Sequence, residues 1–176
     1  MVRRNILGLL LTAAWLFADS GAGVRWTVPA NWKAEPQRPM RLATYNVPPA
    51  AGDRDAGECG VYYFGAGQGG SVDANLDRWI GQFQQPDGKP SKAAAKIAKR
   101  TVHGLKVTTV DVSGAYTGMA GPMAQPGAAP KAGYRLLGAI VEGPQGSVFF
   151  KLTGSAKTIG QNEPNFEKLL ASLSPE

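Results

Sequence analysis

Apolar and polar positions alternate along most of this chain, and the places where alternation fails mark its centre. The densest apolar stretch runs from Tyr134 to Gly154 and reads as two strands, Arg135–Val141 and Ser147–Leu152, about a turn at Gly143–Gly146. In the first strand Leu136 and Ile140 point one way, while Leu137, Ala139 and Val141 point the other. A strand apolar on both faces belongs in the middle of a sheet that is covered on each side. In the second strand Val148, Phe150 and Leu152 share a face, and Phe149 lies opposite with Lys151.

Further strands are predicted at Val24–Pro29, Met40–Val47 and Glu58–Phe64, with Trp32 turned back onto the core from the turn Ala30–Lys33. The run Gly65–Gly70 places Gly65, Gly67 and Gly70 at the G-x-G-x-x-G spacing. No parallel crossover follows it, however, and the acidic residue near the required distance, Asp87, lies in a turn, so the run reads as a flexible turn. Ser71 is a good N-cap for a helix over Val72–Gln84, whose Val72, Leu76, Trp79, Ile80 and Phe83 form one apolar stripe. Lys96–Val102 and Leu105–Val112 predict a hairpin about His103-Gly104. The apolar positions of its second strand shift from Leu105 and Val107 to Val110 and Val112, which implies a bulge or a two-sided strand. A turn over Ser155–Gly160 and a helix over Asn165–Leu173 close the chain. The predicted fold class is therefore α+β: a mainly antiparallel sheet of about six to seven strands with helices packed on it, one near mid-chain and one at the end.

Composition changes the picture first at the N-terminus. Arg3 and Arg4 precede the apolar run Ile6–Ala18, and the small residues Ser20, Gly21, Ala22 and Gly23 follow. This charged, apolar, small order predicts a secretory signal peptide over residues 1–23, cleaved after Ala22 or Gly23, and one domain over 24–176. At 13 residues the run is too short for a spanning helix, so no membrane span is predicted in the mature form. Its loss removes Arg3, Arg4 and Asp19 and lowers the formal net charge from +6 to +5. Exported, periplasmic or secreted, such a domain lies away from nucleic acid, and no aromatic-basic stripe argues otherwise.

The positive charge is concentrated between Lys89 and Lys106, where Lys89, Lys92, Lys96, Lys99, Arg100 and Lys106 occur without one acidic residue. Lys92, Lys96, Lys99, Arg100 and Lys106 are accordingly the candidate binding face, toward an anionic envelope component or an acidic protein. The long Gly-, Ala- and Pro-rich segment Gly118–Gly133 carries Met119 and Met123, a second candidate binding element. Cys59, the only cysteine, alternates with Val61 and Tyr63 and reads as a buried small hydrophobe; His103, the only histidine, reads as a turn residue. No catalytic residue, metal ligand set or cofactor is predicted.

The stretch Val24–Trp32, VRWTVPANW, together with Thr101–Leu105, TVHGL, and Gly114–Thr117, GAYT, resembles the PsbP-like superfamily. That group includes the extrinsic oxygen-evolving subunit of photosystem II, a Ran-binding nuclear import factor and many exported bacterial proteins. The resemblance implies an α/β/α sandwich and a non-catalytic binding or assembly role, and carries over no functional residue. Two alternatives stand beside it. One is an exported hydrolase whose site forms only on folding, from Glu58, Asp111 or Glu142. The other is a copper-handling protein that uses Met119 and Met123 with His103 or Met40.

Overall fold

A computed structural model describes residues 18–118 and 129–176. Its centre is the predicted one. Strand β9 (Lys131–Gly143) and strand β10 (Gly146–Ser155) form a hairpin about Pro144 and Gln145, in register from Gly143↔Gly146 to Tyr134↔Ser155. Strand β5 (Gly57–Tyr63) pairs with β10 and with β4 (Arg41–Val47), and β4 carries the two-residue edge strand β3 (Lys33–Ala34). On the other side β8 (Leu105–Tyr116) pairs with β9. The outer edge of β8 is shared by β7 (Lys96–Val102) and the short β6 (Phe83–Gln84). Among the described residues every pairing is antiparallel and this sheet has eight strands, against about six to seven expected, because β3 and β6 are too short to leave a periodic signal.

Both faces are covered, as a centre of two-sided strands demands. Helix α1 (Val72–Ile80) lays Leu76, Trp79 and Ile80 on Val110, Val112, Leu136, Ile140 and Phe149. Helix α2 (Ala156–Ala171) brings Ile159, Phe166, Leu169 and Leu170 to the opposite face, against Val107, Leu137, Val141, Phe150 and Leu152. Of the two readings of the parity shift in β8, a bulge or a two-sided strand, the second is the observed one. Register with β9 runs unbroken from Lys106 to Gly114, so Leu105 and Val107 serve the α2 side while Val110 and Val112 serve the α1 side.

Both helices depart from their predicted limits. Helix α1 stops at Gly81 rather than Gln84, because the chain turns into β6 and there pairs with Tyr116 and Ala115; Phe83 stays buried, from a strand. Helix α2 starts nine residues before the predicted Asn165. Ser155 caps it, its Oγ accepting from the Thr158 amide at 3.0 Å, and the helix continues through Gly160 and Pro164. An interior proline removes one helical hydrogen bond and crowds the carbonyl four residues back, at about 3 kcal/mol. Complete burial of Ile159, Thr158 and the Leu169–Leu170 pair outweighs that cost.

A second, three-stranded sheet closes the α2 side: β1 (Ala18–Gly21), β2 (Val24–Thr27) and β11 (Ser174–Pro175). The predicted cleavage after Ala22 or Gly23 falls between β1 and β2. Asp19, on β1, accepts a 2.7 Å hydrogen bond from the hydroxyl of buried Tyr45, which in turn accepts one of 2.8 Å from Trp26 Nε1. A chain that begins at Val24 leaves the Tyr45 hydroxyl without its carboxylate and β2 with only the two-residue β11 beside it. It should be about 1–3 kcal/mol less stable in urea unfolding than a chain that begins at Ala18, since an orphaned buried donor costs that much.

Candidate functional site

Lys151 lies at the centre of the α1 face, in a row that crosses three strands: Gly60 on β5, Lys151 on β10 and Gly138 on β9. Glycine on either side leaves the sheet bare next to the lysine. The indole of Trp79 rests on Gly138, where a Cβ would stand 2.5 Å from Cζ3; the ring of Tyr62 folds over Gly60 in the same way, its hydroxyl 2.7 Å from where a Cβ would be. Between these rings opens a cavity of about 480 Å³ under the C-terminal end of α1. Its walls are aromatic. Trp79 and Phe149 meet edge to face at 6.4 Å, Phe64 leans on Phe149 at 5.5 Å, and Tyr62 lies nearly parallel to Phe64.

The polar groups of the cavity are few, and two of them, Lys151 and Arg78, are cationic. Lys151 Nζ donates to Gln82 Oε1 at 2.7 Å and to the Tyr116 hydroxyl at 3.3 Å, and stands 5.5 Å from the Tyr116 ring centre. Arg78, from the last turn of α1, lines the cavity and donates to Asn75 Oδ1. Arg41 lies 5.0 Å over the Tyr62 ring. Neither Lys151 nor Arg78 forms an ion pair among the described residues, and the nearby carboxylate of Glu58 is taken by Arg41 at 2.7 Å and Arg38 at 3.0 Å. Desolvation, reinforced by Arg41 and Arg78, pulls the Lys151 ammonium down to about 8. The same burial pushes the Tyr62 and Tyr116 hydroxyls upward.

The basic stretch singled out from the sequence forms no single patch. Lys96 and Arg100 extend toward the α2 side, Lys99 and Lys106 toward the α1 side, as the pairing with β8 and its two faces dictates. Carboxylates distant in sequence also fold against it. Lys92 meets Asp77 at 2.7 Å, Arg100 meets Glu167 at 2.7 Å, Lys96 faces Asp111 across the β7–β8 pair, and Lys106 faces Glu142 across β8–β9. Met119 and Met123 lie outside the described residues.

Residues of the alternative readings are likewise dispersed. Glu58 is paired with arginines on the α1 side. Asp111 is held bidentately by Arg135 at 2.8 Å, and Arg135 reaches Glu163 of α2 at 2.8 Å. Glu142 is exposed on the strand next to Asp111's own. Cys59 is fully buried, its thiol driven upward by desolvation. His103 has φ 45° in the β7–β8 turn, and its Nδ1 lies 2.7 Å from the Leu173 carbonyl. Gly65, Gly67, Gly69 and Gly70 all have positive φ and carry the chain from β5 to Ser71, whose Oγ accepts from the Ala74 amide. Among the described residues no group of three His, Cys, Asp or Glu side chains is placed to hold a metal, and no helix is long and apolar enough to cross a membrane.

Neither a family model nor a curated protein sequence matches the chain. Solved structures do. The solution structure of cyanobacterial PsbP, CyanoP, from Synechocystis sp. PCC 6803 superposes with a TM-score of 0.53 over 98% of this chain and 98% of its own, at 12% identity. The chain has a PsbP-like fold. A protein of unknown function from Pseudomonas aeruginosa, PA94, shares it with a TM-score of 0.50 over 92% of this chain and 97% of its own, also at 12% identity. The expected α/β/α layering of the PsbP-like group is thus the observed one, and at this identity the likeness concerns the fold alone.

Lys151 was visible in the sequence as a lysine sharing a face with Phe149 in the central hairpin. The signal that would have singled it out is a charged residue in a sheet centre with glycine directly across on both sides, which requires the register. An unfolded lysine keeps its proton to about 10.5, whereas the folded Lys151 loses it near 8. The unfolded state therefore binds more protons between these values, and stability rises with pH across that window on this lysine's account. Lys151→Met should abolish that part of the rise and stabilise the protein at pH 7, by about 1–3 kcal/mol, because it removes a desolvated, unpaired charge. Urea unfolding of both proteins at pH 7 and pH 10 measures the difference.

Proposed function

We propose that the chain is an exported, non-catalytic binding domain, and that its ligand or partner side chain enters the cavity beneath α1. The observation that carries this reading is the lining: four aromatic rings with Lys151 between them and Arg78 at the edge, open at the surface, while nearly all the other large apolar side chains among the described residues are packed away. Concave, mostly apolar sites with a few convergent polar groups are where proteins take up ligands. Export is supported by the order of Arg3, Arg4, the run Ile6–Ala18 and the small residues after it. The absence of a catalytic step from the proposal rests on how the reactive groups are spent: Glu58 and Asp111 on arginines, Cys59 in the core, His103 on a carbonyl.

The binding surface thereby moves from β7 to the α1 side of the sheet, since the β7 charges point to both faces and meet carboxylates there. A neutral environment-sensitive dye, N-phenyl-1-naphthylamine, should brighten on binding to the protein, and Phe64→Ala should weaken its binding about tenfold, as removal of one stacking wall does. Phe64 is only half-buried, so the variant keeps its fold; unchanged dye binding would place the site elsewhere.

A further inference from the structure

We propose that the cavity selects a monoanion, a carboxylate carried on a flat apolar body, with the carboxylate between Lys151 and Arg78 and the body between Trp79, Phe149, Tyr62 and Phe64. This rests on the pocket reading above and adds the chemical class. An ammonium has three donors, and Lys151 uses two of them, on Gln82 and Tyr116; both acceptors are neutral. Buried charges are ordinarily paired or hydrogen-bonded to charge. Lys151 is half-buried and has no carboxylate partner among the described residues, and each nearby acid is bound elsewhere: Glu58 to Arg38 and Arg41, Asp77 to Lys92; the exposed Arg78 adds a second cation at the cavity's edge. A ligand carboxylate supplies the missing partner through charge-assisted hydrogen bonds, which are the strong ones.

The walls decide the rest of the ligand. Tyr62 and Phe64 are stacked at an interplanar angle of 14°, and Phe149 and Trp79 are crossed at 82°, which suits the face and edge of a planar ring at once. A doubly charged phosphate would carry a second negative charge into an aromatic wall, at a desolvation cost that the ring faces do not return. One negative charge and one ring system match what the residues offer.

The test uses isothermal titration calorimetry with three probes of nearly one shape: 2-naphthoate, the neutral 2-naphthalenemethanol and the cationic 2-naphthylmethylamine. The expected order is naphthoate tightest, about tenfold or more over the alcohol, with the amine weakest; one charge-assisted hydrogen bond corresponds to that ratio. Lys151→Met should lower naphthoate affinity about tenfold and leave the alcohol unchanged. Between pH 7 and pH 9.5 the native protein should lose naphthoate affinity as Lys151 deprotonates, and the variant should not. Around Lys151 the charged neighbours are Arg41, Arg78 and Glu58; the Tyr62 and Tyr116 hydroxyls, pushed upward by burial, remain neutral over this range, and Gln82 does not titrate. Equal binding of naphthoate and alcohol would overturn the anion class while leaving the pocket reading intact. Failure of all three probes to bind would overturn both. Because methionine removes a desolvated charge without leaving a hole, loss of folding does not obscure the result.

Discussion

The indole of Trp79 lies on the bare backbone of Gly138, and the space left under α1 follows from that contact. Any side chain at Gly138 would push α1 away from the sheet, since even a Cβ would stand 2.5 Å from the ring. With glycine there, the helix sits close at its buried end, and the ring becomes a wall for the neighbouring residue in the same row, Lys151. Gly60, on the other side, lets Tyr62 close the opposite wall. The arrangement couples a packing requirement to a chemical one: the same two glycines that let the aromatic rings settle on the sheet leave a lysine desolvated between them.

The two faces of the sheet use burial differently. On the α2 side Trp26, Tyr45, Phe150, Ile159, Phe166 and the leucines of α2 are buried against the sheet, and polar groups there are paired, such as Trp32 Nε1 donating to Asn162 Oδ1 at 3.1 Å. Helix α1 has nine residues and covers less of its face than the sixteen-residue α2 covers of the other. That difference in helix length leaves the aromatic cavity directly over the sheet on the α1 side, while the sheet under α2 is covered by packed side chains. Sites that bind tend to be where a fold leaves its polar and apolar groups incompletely satisfied, and here they coincide.

Much of this fold was legible in the sequence, because long strands carry a clear period. Val102 and Leu105 bracket the His103-Gly104 turn as expected, with φ of 45° and 87° at its two residues. The β9–β10 hairpin, the apolar stripe of α1, the buried Cys59 and the return of Trp32 to the core were equally plain. What the sequence hid were elements of two to four residues, β1, β3, β6 and β11, which have no period to read, and the upstream half of α2, where Gly160 and Pro164 argue against a helix that tertiary burial nevertheless enforces. The site was hidden for a different reason. An acid-free run such as Lys89–Lys106 looks cationic only until folding brings Asp77, Asp111, Glu142 and Glu167 to it. The converse holds for Lys151, which is unremarkable in its own segment and becomes exceptional only when Gly60, Gly138, Tyr62 and Trp79 are set around it.

The defining feature of the molecule is a desolvated ammonium, without a carboxylate partner among the described residues, inside an aromatic cavity. A titration of the protein with ¹³C-labelled lysine side chains, followed by NMR at the Cε carbons, reports each lysine separately. One signal should titrate near 8, in accordance with burial of Lys151 beside Arg41 and Arg78. It should be absent from Lys151→Met and shift upward when 2-naphthoate is added. Titration of every lysine at about 10 or above, the range of solvated ammonium groups, would contradict the account.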